Sequence, residues 1–502
     1  MPGARVTVLM RVLLMLFMAC TLSFSGLAGA QSSPGSNDLP DIGSGADATL
    51  TLSDEYQIGR MIVRDLREQG QILDDPEVND YLQAIGSRIA AQAQEGGQRF
   101  QFFLVKDPAI NAFALPGGFI GINQGLFTAT ANEAQLASVL AHEIAHVTQR
   151  HIARSIRAQG RQSLASAAAI LAAILIGATT GSPDMAQAGI AIAQGAAVQQ
   201  RINFTRANEY EADRIGISFL ASAGFDPYAM SDFFSTIGRR AGLSGSVEVP
   251  EFLRTHPVTS NRIAESRDRA AQIPVAIRTE SLSYALVRER ARVVASPPDS
   301  DLRPYYAALA ESRPLDTAQR YGQALARMRA GENDAAASTL VEISAGRPGV
   351  PMLESALGQA LLAAGRSSDS MQVFERALAV APRNVPLSLR QAEALLRVGK
   401  AREAHTLLLD LFNNVPPTPE QIRFTAFAAS SAGDTGDAYY YMSEYHIGTG
   451  DLPLAVKQLE LALEAPDLTS VQRARFEARQ KEIREVLAQS GRRRDRRAAD
   501  TM

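Results

Sequence analysis

Cysteine is nearly absent from this sequence, whose 502 residues contain a single one, Cys20. One cysteine cannot form an intramolecular disulfide, although a chain without disulfides is compatible with an oxidising compartment. The chain also lacks an excess of either charge, because 50 Lys and Arg residues nearly balance 53 Asp and Glu residues. This balance offers no footprint for binding nucleic acid. The locally basic stretch 492–497 is expected to belong to a solvated, disordered tail.

The N-terminus has the pattern of a secretion signal. Two arginines precede an apolar run from Val12 to Cys20, and residues 28–30 (Ala-Gly-Ala) form a small-x-small cleavage site. We therefore predict that residues 1–30 are a signal peptide and that export removes Cys20 from the mature protein. The alternative, a lipoprotein anchored through Cys20, is disfavoured because the three residues before it match a lipoprotein signal poorly.

Histidine is scarce as well, which makes one local pattern informative. Of the six histidines, His142 and His146 flank Glu143 in an HExxH motif. On a helix, residues four apart share a face, so both imidazoles can bind one Zn²⁺ while Glu143 lies beside the open position. The preceding residues 132–141 contain no Gly or Pro and have apolar residues at helical spacing, which predicts such a helix.

A catalytic zinc needs a third protein ligand, and a second motif offers one. Glu209 and Asp213 lie four residues apart on a predicted helix that continues through Leu220. One carboxylate can bind the metal while the other accepts the outward N–H of a ligand histidine. Alone, such a pair would more often be an exposed acidic helix start. Together with the upstream HExxH motif it predicts a metalloprotease.

HExxH followed by a helix with the pattern ExxxD resembles metallopeptidase family forty-eight, a gluzincin family. Two further stretches are similar to family motifs: a hairpin before the active-site helix, here 111–120, and a closing motif, here Arg254-Thr255-His256-Pro257 with Arg262-Ile263. The resemblance implies an α+β zincin-like (gluzincin) metalloprotease domain. It implies that His142, His146 and Glu209 bind Zn²⁺ and that Glu143 is the catalytic base, and we expect Asp213 to accept the N–H of a ligand histidine.

The resemblance also implies residues that meet the substrate. In the family an edge strand pairs with extended substrate, and the corresponding residues are Asn111, Ala112, Phe113 and Ala114. His256 corresponds to a histidine that can approach the zinc, where it would cap the water position at rest or swing to stabilise the oxyanion. The alternative is an ordinary hydrogen-bonded loop histidine. His151 would point off the ligand face of a continuous helix and is interpreted as ordinary.

The C-terminal half contains an internal repeat. Glycines and prolines recur every 34 residues, which is the tetratricopeptide period, at Gly331, Gly365, Gly399 and Gly433 and at Pro348, Pro382 and Pro416. Stacked helix pairs of this kind form an all-α solenoid whose concave surface binds peptides or partner proteins. The register fails after Gly433, where a final helix pair and a capping helix from Ser470 to Ala488 are predicted.

One segment complicates a soluble interpretation. Residues 164–198 are dense in Ala, Ile and Leu, and no charged residue occurs from 162 to 183. A hairpin that contacts the membrane is one hypothesis. The alternative, an alanine-rich helical hairpin packed on the protein, is preferred because alanine is only weakly favourable in lipid.

The predicted organisation is a signal peptide (1–30), a flexible leader (31–47), the zinc metalloprotease domain (48–275), a connector (276–305), the tetratricopeptide-repeat domain (306–488) and a basic disordered tail (489–502). This order resembles that of a periplasmic member of the family. It implies an exported zinc endopeptidase acting on misfolded or stalled envelope proteins, with the repeats recruiting substrate or outer-membrane assembly proteins. The alternative is a periplasmic chaperone or scaffold in which binding dominates and proteolysis is rare.

Overall fold

The structure is a computed structural model that describes residues 50–93, 98–158, 206–243, 250–274 and 281–499. These residues all belong to one compact unit, Ala46–Met502. Within them, no helix is both long enough and apolar enough to cross a bilayer. The predicted signal peptide, the leader and the alanine-rich segment 164–198 lie outside the described residues.

Two helices begin the described chain, α1 (Leu52–Glu68) and α2 (Pro76–Ala90). Thr51 forms a capping box at the start of α1, while Asp75 caps α2 and Pro76 occupies its first turn. The first amide groups of a helix have no hydrogen-bond partner inside the helix. Thr51 and Asp75 accept hydrogen bonds from such amides, and Pro76 has no N–H to satisfy. The apolar faces of both helices then pack onto the sheet that follows.

A sheet of three strands follows, β1 (Gln101–Val105), β2 (Ala112–Leu115) and β3 (Phe119–Asn123). The strand order is β1-β3-β2, so β2 lies at an edge; β3 is parallel to β1 and antiparallel to β2. The predicted hairpin turn contains Gly118, whose φ of 88° lies in the left-handed region. A Cβ there would also lie 2.0 Å from the carbonyl oxygen of Arg99, which explains the need for glycine.

Among the described residues up to 274, seven helices follow in the predicted metalloprotease part: α3 (Gln124–Ala129), α4 (Glu133–Thr148), α5 (His151–Ala158), α6 (Arg206–Ser222), α7 (Ala229–Leu243), α8 (Glu251–Thr255) and α9 (Ser260–Ala271). Helix α4 carries the HExxH motif and is buried from Gln135 to Thr148. Helix α6 carries the ExxxD motif and packs along α4. Gly216 permits this approach, because a Cβ on it would lie only 3.1 Å from the carbonyl oxygen of Ala141.

The rest of the described chain is entirely helical: α10 (Leu282–Val294), α11 (Arg303–Ser312), α12 (Thr317–Arg329), α13 (Asn333–Ala345), α14 (Pro351–Ala363), α15 (Ser367–Val380), α16 (Val385–Arg397), α17 (Ala401–Asn414), α18 (Pro419–Ser431), α19 (Thr435–Thr449), α20 (Leu452–Glu464) and α21 (Ser470–Ala499). The four glycines of the predicted period each follow a helix and have φ between 79° and 83°. Such left-handed glycines end a helix and let the chain reverse. The predicted all-α region with helix pairs is therefore confirmed.

The last helix extends past the predicted end of the capping helix. A capping helix ending at Ala488 and a disordered tail from 489 to 502 are expected from the sequence, but α21 continues as a helix through Ala499. Arginine and alanine make up most of the last turns, and both residue types favour helix. A high density of like charge is therefore not enough to end this helix.

The metalloprotease part and the repeats share a buried boundary. Helix α10 lies in the predicted connector, yet Tyr284 and Val287 belong to the metalloprotease core while Leu286 and Val293 belong to the repeat core. Because its two faces lie in two cores, α10 joins the parts as a packed element.

Paired charges reinforce this boundary at the start of α2. Glu77 accepts hydrogen bonds from Arg390 at 2.8 Å and Ser355 at 2.5 Å, and it lies 2.9 Å from a nitrogen of Arg290. Arg290 also pairs with Asp75 at 2.7 Å. The contacts with Ser355 and Arg290 are buried and the contact with Arg390 is partly buried, so each charge relies on its partners for much of the solvation that water would otherwise provide.

Candidate metal centre

Three elements bring four metal-ligating side chains together. On α4, Nε2 of His142 lies 3.0 Å from Nε2 of His146. Glu209 on α6 places Oε2 3.5 Å from Nε2 of His142 and Oε1 3.5 Å from Nε2 of His146. His256, which ends α8, places Nδ1 3.1 Å from Glu209 and 3.3 Å from Nε2 of His142. All four are buried, and their ligand atoms lie within 4.8 Å of one another.

These donors fit a metal ion. Imidazole nitrogens with a carboxylate are the ligands that catalytic zinc uses. Burial favours the neutral form of Glu209, but the nearby charge of His256 and hydrogen bonds from the histidines hold its pKa well below the usual range. Burial lowers the pKa of His146 well below its ordinary value. Glu209 is thus an anion and His146 a neutral imidazole, which are the forms that bind metal.

Asp213 and Arg262 orient His142. Oδ1 of Asp213 lies 3.0 Å from Nδ1 of His142. Arg262 on α9 donates to both oxygens of Asp213, at 2.7 Å and 2.8 Å, and lies 2.9 Å from Glu209. One buried guanidinium therefore spans both acidic residues of the ExxxD motif. Burial opposes protonation, but hydrogen bonds to Asp213 and Glu209 raise the pKa of His142 to about 9.

His151 does not point away from the ligands, and that prediction is wrong. Helix α4 ends at Thr148, and Arg150 adopts a left-handed conformation with φ of 50°. The chain turns there, so Nδ1 of His151 lies 2.8 Å from Nδ1 of His146 and its Nε2 lies 3.1 Å from Glu211. On an unbroken helix a residue five positions later would point about 140° away.

Glu143 lies beside the four donors. Its side chain is fully buried, and Oε1 lies 3.6 Å from Nε2 of His256. Burial raises the pKa of Glu143, while the charges of His256 and His142 and the backbone of Ala114 oppose the rise. A carboxylate with raised proton affinity next to a metal position is suited to accept and return a proton.

The edge strand β2 runs beside the centre. Asn111 directly precedes it, and its backbone carbonyl accepts a hydrogen bond from the backbone N–H of Asn123 at 3.0 Å. Ala112 and Ala114 are buried, whereas Phe113 is half-buried. One edge of β2 pairs with β3, and no other strand in the described parts of the chain pairs with the opposite edge.

Three residues around the ligand side chains have no predicted role: Arg262 and His151 contact a ligand directly, and Glu211 contacts His151. Arg262 belongs to the closing motif, and the buried carboxylates of Glu209 and Asp213 were a signal that a cation must lie nearby. His151 and Glu211 carried no such signal, because their contact depends on the break between α4 and α5.

Comparison with known proteins identifies relatives of this chain. The family model described as Peptidase family M48 matches residues 76–270. A protein of Vibrio cholerae is 38% identical over 62% of this chain and 64% of its own length. A Yersinia pestis protein named beta-barrel assembly-enhancing protease is 32% identical over 91% of this chain and 95% of its own length. Among solved structures, a thermophilic TPR protein of Thermus thermophilus is 20% identical and covers 39% of this chain and 92% of its own, with a TM-score of 0.21.

Proposed function

The chain belongs to peptidase family M48, and on this premise we propose that it is a zinc endopeptidase acting on misfolded or stalled proteins of the cell envelope. The observation that carries the proposal is the position of Glu143 beside the donor cluster. His142, His146 and Glu209 would hold the zinc, because two imidazoles and one carboxylate are a usual ligand set of catalytic zinc.

The roles of the side chains follow from their positions. When bound, zinc would polarise a water molecule and the scissile carbonyl. Glu143 accepts the proton of the attacking water and passes it to the leaving amine. Asp213 keeps the proton of His142 on Nδ1, 3.0 Å away, so that Nε2 faces the metal position. Arg262 contacts the two buried carboxylates, Glu209 and Asp213, and its single positive charge offsets part of their combined negative charge.

The edge strand β2 is the proposed substrate site. An extended peptide can add to the free edge by main-chain hydrogen bonds, which select for unfolded segments rather than for one sequence. The backbone of Ala114 lies near Glu143, so a peptide bound along Asn111, Ala112, Phe113 and Ala114 passes the catalytic base.

His256 is the proposed cap of the metal. Its Nδ1 lies 3.1 Å from Oε1 of Glu209 and 3.3 Å from Nε2 of His142. A fourth protein ligand would leave no open position for water, and zinc sites with four protein ligands are structural rather than catalytic. As a cap, His256 must therefore leave before hydrolysis; the alternative role is stabilisation of the oxyanion.

The cellular setting is proposed from the sequence and the relatives. The predicted signal peptide (1–30) supports export to the periplasm, and the name of the Yersinia pestis relative supports work on outer-membrane assembly. The helical repeats are proposed to recruit substrates or assembly proteins. Segment 164–198 is a candidate for membrane contact.

Hydrolysis by purified full-length protein with Zn²⁺ tests the proposal. Wild type should cleave an unfolded fluorescent reporter, and Glu143→Gln should keep its zinc but lose roughly 10²–10⁴-fold in rate, the contribution of a general base. Glu265→Gln is the matched control, because Glu265 lies on α9 with a side chain 44% exposed. Zinc-loaded wild type that suppresses aggregation of the reporter without cleaving it would contradict the proposal and favour a chaperone.

A further inference from the structure

A line of side chains links His146 to the protein surface. Nδ1 of His146 lies 2.8 Å from Nδ1 of His151, and Nε2 of His151 lies 3.1 Å from Oε2 of Glu211. The side chain of His151 is 0% exposed and that of Glu211 is 25% exposed. The same oxygen of Glu211 accepts a hydrogen bond from Arg154 at 3.1 Å. The line therefore runs from the donor cluster to solvent.

Simple chemistry assigns the protons along this line. If Nε2 of His146 binds a metal, its proton must be on Nδ1, which then donates to Nδ1 of His151. His151 must carry its own proton on Nε2, which donates to Glu211. His146 thus donates to His151, and His151 donates to Glu211. Both hydrogen bonds are directed from the donor cluster towards the surface.

From this geometry we propose that His151 and Glu211 are positioning residues, which fix the tautomer and the ring orientation of His146 as a zinc ligand. The inference rests on the proposed zinc function. It also separates the two histidine ligands: a buried carboxylate, Asp213, orients His142, whereas a neutral imidazole orients His146.

The backbone is arranged to make this contact. Arg150 adopts a positive φ of 50°, which is unfavourable for a residue with a Cβ. Its guanidinium donates to Glu55 at 3.0 Å and 2.8 Å and to the carbonyl of Leu50 at 2.6 Å. Such a conformation is strained, and the surrounding contacts must hold it. The turn at Arg150 brings the side chain of His151 into contact with His146.

Two substitutions of similar size test the proposal in the full-length protein. In His151→Asn the amide oxygen stands near the former Nδ1 and can accept from His146, whereas His151→Leu offers no acceptor. The readout is the zinc dissociation constant, from competition with a chromogenic chelator. His151→Leu should weaken zinc binding about 10–100-fold, the usual loss when a partner of a ligand is removed, and His151→Asn should stay near wild type.

The Co²⁺ spectrum, the zinc affinity of Glu211 variants and peptide cleavage by wild type distinguish the positioning role from the proposed function. The visible spectrum of the Co²⁺-loaded protein should change in His151→Leu more than in His151→Asn. If the buried leucine prevents folding, Glu211→Leu and Glu211→Gln test the same line from its exposed end, and only the glutamine variant should keep its zinc affinity. Equal zinc affinity within each pair would overturn the positioning role. A wild type that binds zinc but does not cleave would instead contradict the proposed function.

Discussion

Replacing Glu77 with Gln should destabilise the folded protein strongly, although Glu77 lies far from the chemistry in sequence. Its side chain is 1% exposed and contacts Arg290 and Arg390. Glutamine keeps the shape but removes the negative charge between two guanidinium groups. Removing one partner of a buried ion pair typically costs about 3–5 kcal/mol.

The remaining contacts place the loss at the lower end of that range. Arg290 keeps both oxygens of Asp75, at 2.7 Å and 2.8 Å. Arg390 keeps Asp75 at 3.1 Å and Glu393 at 3.0 Å. Neither cation is left unpaired, so we expect a loss of about 3 kcal/mol in the free energy of unfolding.

The effect should depend on pH. Burial favours the neutral carboxyl, but the charges of Arg290 and Arg390 hold the pKa of Glu77 below its usual value near 4.5. A carboxyl with a depressed folded pKa stabilises the fold above its unfolded pKa, and the contribution is lost as the pH falls through the folded pKa. The difference between wild type and Glu77→Gln should be constant from about pH 6 to 8 and shrink below about pH 4.5.

Urea unfolding followed by circular dichroism and tyrosine fluorescence measures this loss, since the chain has no tryptophan. Glu393→Gln is the matched control, because Glu393 also pairs with Arg390 but its side chain is 41% exposed. Exposed pairs contribute about 0–1 kcal/mol. Equal losses in the two variants, or a loss from Glu77→Gln that does not change with pH, would refute the reasoning.

Two further predictions concern the metal centre. Glu209→Gln should lower zinc content after dialysis far more than Asp213→Asn, because the first removes the charge of a metal ligand, whereas the second leaves an amide oxygen that still accepts the N–H of His142 and costs at most roughly 10–100-fold in affinity; the reverse order would exchange their roles. His256→Ala should raise the basal rate of peptide cleavage, by about tenfold if the cap is closed in nine molecules of ten. A fall in rate would indicate oxyanion stabilisation, and an unchanged rate would mean that His256 is structural.

Helices and repeats were predictable because their signals are local. The spacing of His142 and His146 and the apolar pattern before them depend only on the helical period. The glycines and prolines 34 residues apart mark turns that recur in every helix pair. In each case the backbone conformation is determined by a few consecutive residues, so it can be predicted from neighbouring positions in the sequence.

Contacts between distant segments were decided by tertiary structure alone. Glu77 and Arg390 lie 313 residues apart, and nothing near either residue indicates that they pair. The prediction for His151 is wrong because it requires a continuous helix, whereas the chain turns at Arg150, which is held by Glu55, 95 residues upstream. The sequence directly indicates which segments form helices, because helical periodicity is local. Which buried charges pair depends on how all the helices pack, since each buried ion needs a partner that only the folded chain brings near.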